Sequence, residues 1–200
     1  MNIWLSNNQI KYNKISNSEE MAKSRIGKKL YELLVKNYTY KQWNKYPEEL
    51  DASVLARIPI RNNFDTRYFS DKYQALPKNG YTNFIKNMIT HKNILYLVNT
   101  NYEEINKTSY MEGITHIIFT GPVDEYFKDC GLEKLEYRSI DFSVYRFRNM
   151  NYFQPNSVIN YPENTEDFTR IVEYKHFLNQ YSKDTIIVSE ETTDKGEPYY

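Results

Sequence analysis

The sequence predicts an α+β fold, a small helical lobe followed by a mainly antiparallel β-sheet, and three observations predict it. Up to residue 92 the apolar residues recur at helical spacing. Beyond that point they alternate at a period of two. No self-similar period runs through the chain, which argues against a solenoid. With 200 residues, 40% of them hydrophobic, the chain can build a real core, since a chain of this size removes roughly 70% of its unfolded surface from water. One domain or two small lobes is the expectation.

Residues 1–17 are polar with scattered Ile, Trp and Tyr and read as an extended or loosely attached arm. A helical lobe is expected over 18–92. Ser16-x-x-Glu19 and Asn17-x-x-Glu20 both have capping-box spacing, placing a helix start near Ser18. Gly27 should break or bend that helix, and Leu30, Leu33, Leu34 and Tyr38 then form a stripe to bury. Thr39 can cap a short helix through Trp43, Pro47 suits the first turn of another, and Asp51 can cap SVLARI, which Pro59 ends. Residues 60 to 80 read as an irregular loop before a helix over 82–90.

Over 93–134 a partial βα unit is expected, in which NILYLVN and ITHIIFT are strands and TGPVDEYFKDC turns into a short helix. An antiparallel sheet lobe should fill 135–200, with LEYRSIDFSVYRFR as a long strand and SVINY, TRIVEYKHF and TIIVSEE as others. TRIVEYKHF has no clean apolar face. Two explanations fit this pattern equally: a strand bordering a polar cleft, or an edge strand with both faces wet.

Lys plus Arg and Asp plus Glu each number 26, so no global field draws the chain to nucleic acid or to an acidic membrane, and any phosphate site must be local. The single Cys130 rules out an internal disulfide and a four-cysteine metal site and fits a reducing, cytoplasmic setting. The first residues lack the apolar run of a secretory signal, and no segment approaches the roughly 18 apolar residues of a membrane span. None of His91, His116 and His176 has a placed acid or nucleophile partner, so a structural role is the reading for each. Glu103/Glu104 and Glu190/Glu191 are adjacent and should point apart along an extended chain. HExxH, Cys-x-x-Cys and GxSxG do not occur.

The stretch from Tyr38 to Tyr73 concentrates aromatic rings and fixed positive charge: Tyr38, Tyr40, Trp43 and Tyr46, then Arg57, Arg61, Arg67, Tyr68, Phe69 and Tyr73. Rings stack on bases and guanidinium forks match phosphate oxygens, so the set suits a nucleotide carrying a diphosphate. In a chain with 20 Tyr and 10 Phe the same window also reads as structural filler. The segments YTYKQW, RIPIR and YFSDKYQALPKNGYTNFI resemble, in order and spacing, the middle part of the UDP-galactopyranose mutases. The likeness continues through FTGPVDEYF, LEYRSIDF, FTRIVEYKHF and GEPYY.

That resemblance implies a set of roles. Arg61 and Arg170 would approach the diphosphate and galactose, Tyr73 and Tyr200 would touch the phosphates, and Tyr38 and Trp43 would line the uridine pocket. The position of Leu34 is aromatic in some members, so one uracil-stacking contact would be lost here. Catalysis in the family belongs to reduced FAD, whose flavin N5 attacks the anomeric carbon and displaces UDP, interconverting UDP-galactopyranose and UDP-galactofuranose. Full-length members begin with a dinucleotide-binding strand, glycine-rich turn and helix and end with a second flavin-contacting segment. This sequence has neither, since its six glycines include no pair two apart and G-x-G-x-x-G cannot be written. The resemblance therefore implies the substrate-binding part of a flavin-dependent mutase with an incomplete FAD-binding domain, residues 93–134 belonging to the latter. The implied partners are the UDP-sugars and a complementary chain or a second copy. A non-catalytic UDP-sugar-binding remnant or protein-interaction module is the alternative, self-associating through ILYLV and HIIFT.

Overall fold

The computed structural model describes residues 2–61, 63–65 and 67–199. It has a few helices and a four-stranded antiparallel sheet, the expected α+β class. The chain divides into two compact units, one formed by Met1–Gln74 with Tyr137–Tyr200 and the other by Ala75–Glu136.

In the first unit, α1 spans Asn2–Asn8 and α2 spans Ser18–Leu30. The Asn17 side chain accepts from Glu20 N at 2.9 Å, and the Glu20 carboxylate takes Ser16 N at 2.8 Å. Asn17 is therefore the N-cap, while the return bond of the expected box falls one residue earlier, on Ser16 N. Glu19 instead pairs with Lys23 one turn on. Gly27 kinks α2 at φ 73°, ψ 168°. A Cβ there would lie 2.4 Å from the Asn8 carbonyl oxygen, so only glycine admits the end of α1.

The arm is thus not extended. Its first part, Asn2–Asn8, is helical and buries Leu5, and the residues after it satisfy the backbone around the kink through Ile10 N to Lys23 O and Gln9 Nε2 to Arg25 O. Helix α4, Ser53–Ala56, closes over α2, where Ala22, Tyr31 and Leu55 form a buried cluster with Met21, Val35 and Ile58 packed against it. Asp51 Oδ1 accepts from Ser53 N at 2.9 Å, and Pro47 opens a 3-10 turn, both as the sequence predicts.

Between α2 and α3, Lys36–Trp43, lies a π-helical turn, Tyr31–Val35. A π turn holds one residue more than an α turn and so rotates the following side chains by about 100°. The predicted apolar stripe fails for this reason: Tyr31 takes the core position, while Leu33 and Leu34 are exposed. Thr39 is buried inside α3 and caps nothing.

The sheet runs β1-β4-β3-β2, with β1 at Ser139–Phe147, β2 at Val158–Asn160, β3 at Arg170–Val172 and β4 at Thr185–Thr193. Its buried side chains include Ile171, Val172, Ile187 and Val188. The strand expected throughout TRIVEYKHF stops at Val172, and Tyr174–His176 form a 3-10 turn. The turn gives the mixed pattern of that segment a further source. Glu173 and Lys175 are polar because they are buried hubs for backbone groups.

Glu173, fully buried, accepts from Phe153 N and Gln154 N at 3.0 Å each, from the Thr185 hydroxyl and from His176 Nε2. Lys175 Nζ donates to the carbonyls of Asn151, Ser182 and Asp184 and lies 4.8 Å from the centre of the Tyr152 ring. Burial works against the ionised form of Glu173, but the donors from Thr185, Phe153, Gln154 and His176 outweigh it and hold the carboxyl below its ordinary value.

The second unit carries α5, Gly80–Ile89, close to its predicted range, and then short turns including α6, Tyr102–Ile105, and α7, Val123–Tyr126. The runs ILYLV and HIIFT, expected as strands, form no ladder among the described residues. A strand needs a neighbour for its amides and carbonyls, and neither run pairs with the other. Leu95, Val98 and Ile118 are correspondingly exposed at 78, 72 and 88%. The rings of Tyr102, Phe119, Tyr126 and Phe127 pack on one another in this unit.

Two stability predictions follow from these contacts. Gly27→Ala adds both a strained φ and a backbone clash, and should lower unfolding stability by about 1–3 kcal/mol in denaturant titration. Glu173→Gln should cost about 2–3 kcal/mol at pH 7. Because the folded carboxyl sits below its unfolded value, that contribution is complete above the ordinary carboxylate pKa of 4.5 and is lost as pH falls through the folded one. The gap between wild type and variant should therefore close in acid.

Candidate functional site

Helix α3 carries Tyr38 and Trp43, both half-buried, and lies against the sheet. Tyr38 Oη donates to the Asn160 side-chain oxygen at 3.4 Å, at the end of β2. Asn160 faces Arg170 across the β2/β3 pair, and Arg170 faces Glu190 across β3/β4. Arg170 Nε donates to Glu190 Oε2 at 2.6 Å, with both side chains largely covered. One row of side chains thus runs from the helix through three strands. It brings Tyr38 and Arg170 into a shared setting, and a charge-assisted bond fixes the guanidinium plane.

The other predicted residues stand differently. The Arg61 guanidinium is turned onto the carbonyls of Arg67, Tyr68 and Phe69 within its own loop. Beside it Asp65 takes a two-pronged contact from Arg67, and that guanidinium holds the Asp65 carboxyl well below the usual carboxylate range. Tyr73 is 82% exposed, with the Lys72 ammonium 5.2 Å from its ring centre. Tyr200 lies outside the described residues.

Three neighbours of the row escaped sequence reasoning. Asn160 carried no signal. Glu190 was visible as one of two adjacent carboxylates, and these do point apart, Glu190 being buried against Arg170 while Glu191 is exposed. Lys41, inside YTYKQW, donates to four carbonyls: Tyr161 O at 2.5 Å, Glu163 O at 2.9 Å, Glu166 O at 3.2 Å and Phe168 O at 2.9 Å. Burial lowers its pKa against the opposing pull of Glu163, Asp167 and Glu166.

Among the described residues no cluster of His, Cys, Asp and Glu has the makings of a metal site, and no helix is long and apolar enough to cross a membrane. Arginines and aromatic rings on helix and strand ends can recognise an anion and a flat base. The carboxylate placed among them, Glu190, is engaged by Arg170.

Known proteins are similar to this chain over most of its length. The family described as UDP-galactopyranose mutase matches residues 33–200. A probable UDP-galactopyranose mutase of Klebsiella pneumoniae is 36% identical over 186 residues, covering 91% of this chain and 47% of the relative. A dTDP-fucopyranose mutase of Escherichia coli is 33% identical over 191 residues, covering 91% and 49%. A UDP-galactopyranose mutase of Mycoplasma genitalium is 32% identical over 196 residues, covering 88% and 48%. The chain spans about half the length of these relatives. With the family match running over most of its length, the chain belongs to the UDP-galactopyranose mutase family.

Proposed function

We propose that this chain recognises a UDP-sugar, UDP-galactopyranose or UDP-galactofuranose, as the substrate-binding portion of a mutase. The observation that carries the reading is the row from Tyr38 through Asn160 to Arg170 and Glu190, which sets an aromatic helix beside a fixed guanidinium. Tyr38 and Trp43 take the uridine, Arg61 and Arg170 the diphosphate, and Tyr73 and Tyr200 its outer oxygens. Arg170 reaches the ligand already oriented by Glu190. For Arg61 the diphosphate replaces the loop carbonyls of residues 67–69 as acceptor.

The family is generally flavin-dependent, and the fit of FAD to this chain can be judged from its backbone. A dinucleotide pyrophosphate is held by a glycine-rich turn between a strand and a helix N-terminus. Gly27, Gly80, Gly113, Gly131 and Gly196 adopt positive φ; of these Gly196 follows a strand, β4, and no helix comes after it among the described residues. The residues described do not fit the cofactor, so isomerisation requires that the flavin be supplied by another polypeptide or further chain. A second reading, a protein-interaction module, is favoured by the exposure of Leu95, Val98 and Ile118. It predicts self-association or capture of a partner without nucleotide binding.

Titration calorimetry with UDP, dTDP and UMP separates these readings. Saturable UDP binding, weakened in UMP, is the expected result; no heat with any nucleotide, from a folded sample, leaves the interaction module. The inclusion of dTDP tests whether the base preference follows the fucopyranose relative. Arg170→Ala should weaken UDP about 10- to 150-fold, the loss of one charge-assisted contact, and Tyr38→Phe by less. Incubation with excess FAD followed by desalting should leave no flavin absorption band on the isolated chain; a retained band would show that a cofactor site assembles without the glycine-rich turn.

A further inference from the structure

The connection from β2 to β3, residues 161–169, is anchored at its ends by Tyr161 N to Thr169 O at 2.9 Å and Thr169 N to Glu190 O at 2.8 Å. Between these anchors the chain turns the carbonyls of residues 161, 163, 166 and 168 inward onto one point, and Lys41 Nζ occupies that point. Four carbonyl oxygens converging within 3.2 Å are the coordination a protein offers to a bound monovalent cation. An ammonium has three donors, so one of them is shared between two of the four oxygens. Around the rim Glu163, Glu166 and Asp167 are exposed and add negative charge.

Lys41 leaves α3 between Tyr38 and Trp43, while the loop it fills leads directly into Arg170. We infer that Lys41 is a tethered cation filling a carbonyl cage, and that by locking the 161–168 loop to α3 it positions the base-binding helix against the strand bearing the diphosphate arginine. This deepens the UDP-sugar reading and rests on it for the ligand. Lys41 is a positioning residue, not a catalytic one.

The test pairs a probe of the loop with a probe of the ligand. Glu163 and Glu166 offer cleavage points to a glutamate-specific protease, which reads whether the loop is held. In the full chain, Lys41→Met should speed cleavage after Glu163 and Glu166 by at least about 10-fold and raise the UDP dissociation constant by about 10-fold, while Lys41→Arg, which keeps the charge, should fall between. Lys41→Ala vacates the space of n-propylammonium. Adding that ion should restore slow cleavage and UDP affinity, whereas 1-propanol at the same concentration should not. Potassium is a second probe of the empty cage.

Three results would overturn the inference: wild-type cleavage and affinity in Lys41→Met, rescue by propanol equal to rescue by propylammonium, or faster cleavage everywhere with no response to the ion. If wild type itself binds no UDP, the UDP-sugar reading fails, and the protease comparison still decides the clamp.

Discussion

A backbone amide or carbonyl withdrawn from water must find a partner, and in this chain three charged side chains meet that requirement where the short strands do not. Lys41 collects the carbonyls of the β2/β3 connection, Lys175 those of Asn151, Ser182 and Asp184, and Glu173 the amides of Phe153 and Gln154. Two strands of the sheet are only three residues long. Strands so short cannot hold long connections by ladder bonds alone, so the loops are pinned from inside by charge. The row from Tyr38 to Glu190 depends on this arrangement, because both its helix and its strands meet at loops that the two lysines hold.

The parts of the fold legible in the sequence are those set by local chemistry. Asn17 and Glu20 fix a helix start within their own turn, Gly27 is the one residue type that fits beside Asn8, and Pro47 opens its turn without losing a bond. The paired strands β1 and β4 are long enough for alternation to register. The π turn at Tyr31–Val35 was not legible, because a single inserted residue shifts the phase without changing composition. Helix α1 was hidden for a related reason: its docking depends on a kink in another helix.

ILYLV and HIIFT show the limit of periodicity from the other side. Their residues have the preferences of strands, yet a preference of about 1 kcal/mol describes how a side chain fits a half-buried pleat that neighbours must supply. With no ladder partner among the described residues, the backbone stays irregular and the side chains stay in water. At the candidate site the same division holds. Aromatic and basic composition drew attention to residues 38–73, and the family resemblance to Arg170, but Lys41 and Asn160 act across about 120 positions of sequence. No local pattern encodes such a contact.

The pairing of Arg170 with Glu190 bears on what the sheet is for. Removing both charges from water costs several kcal/mol per ion before their attraction returns it, and an apolar pair of similar volume would stabilise the strands at least as well. The neighbouring buried positions, Thr169 and Ser189, are also polar, although Ile171, Val172, Ile187 and Val188 show that this sheet packs apolar side chains where it can. The polar row is therefore poorly explained by stability. The proposed UDP-sugar reading accounts for it: a guanidinium held in one plane by a carboxylate has its orientation settled before a ligand arrives, which reduces the ordering cost of binding.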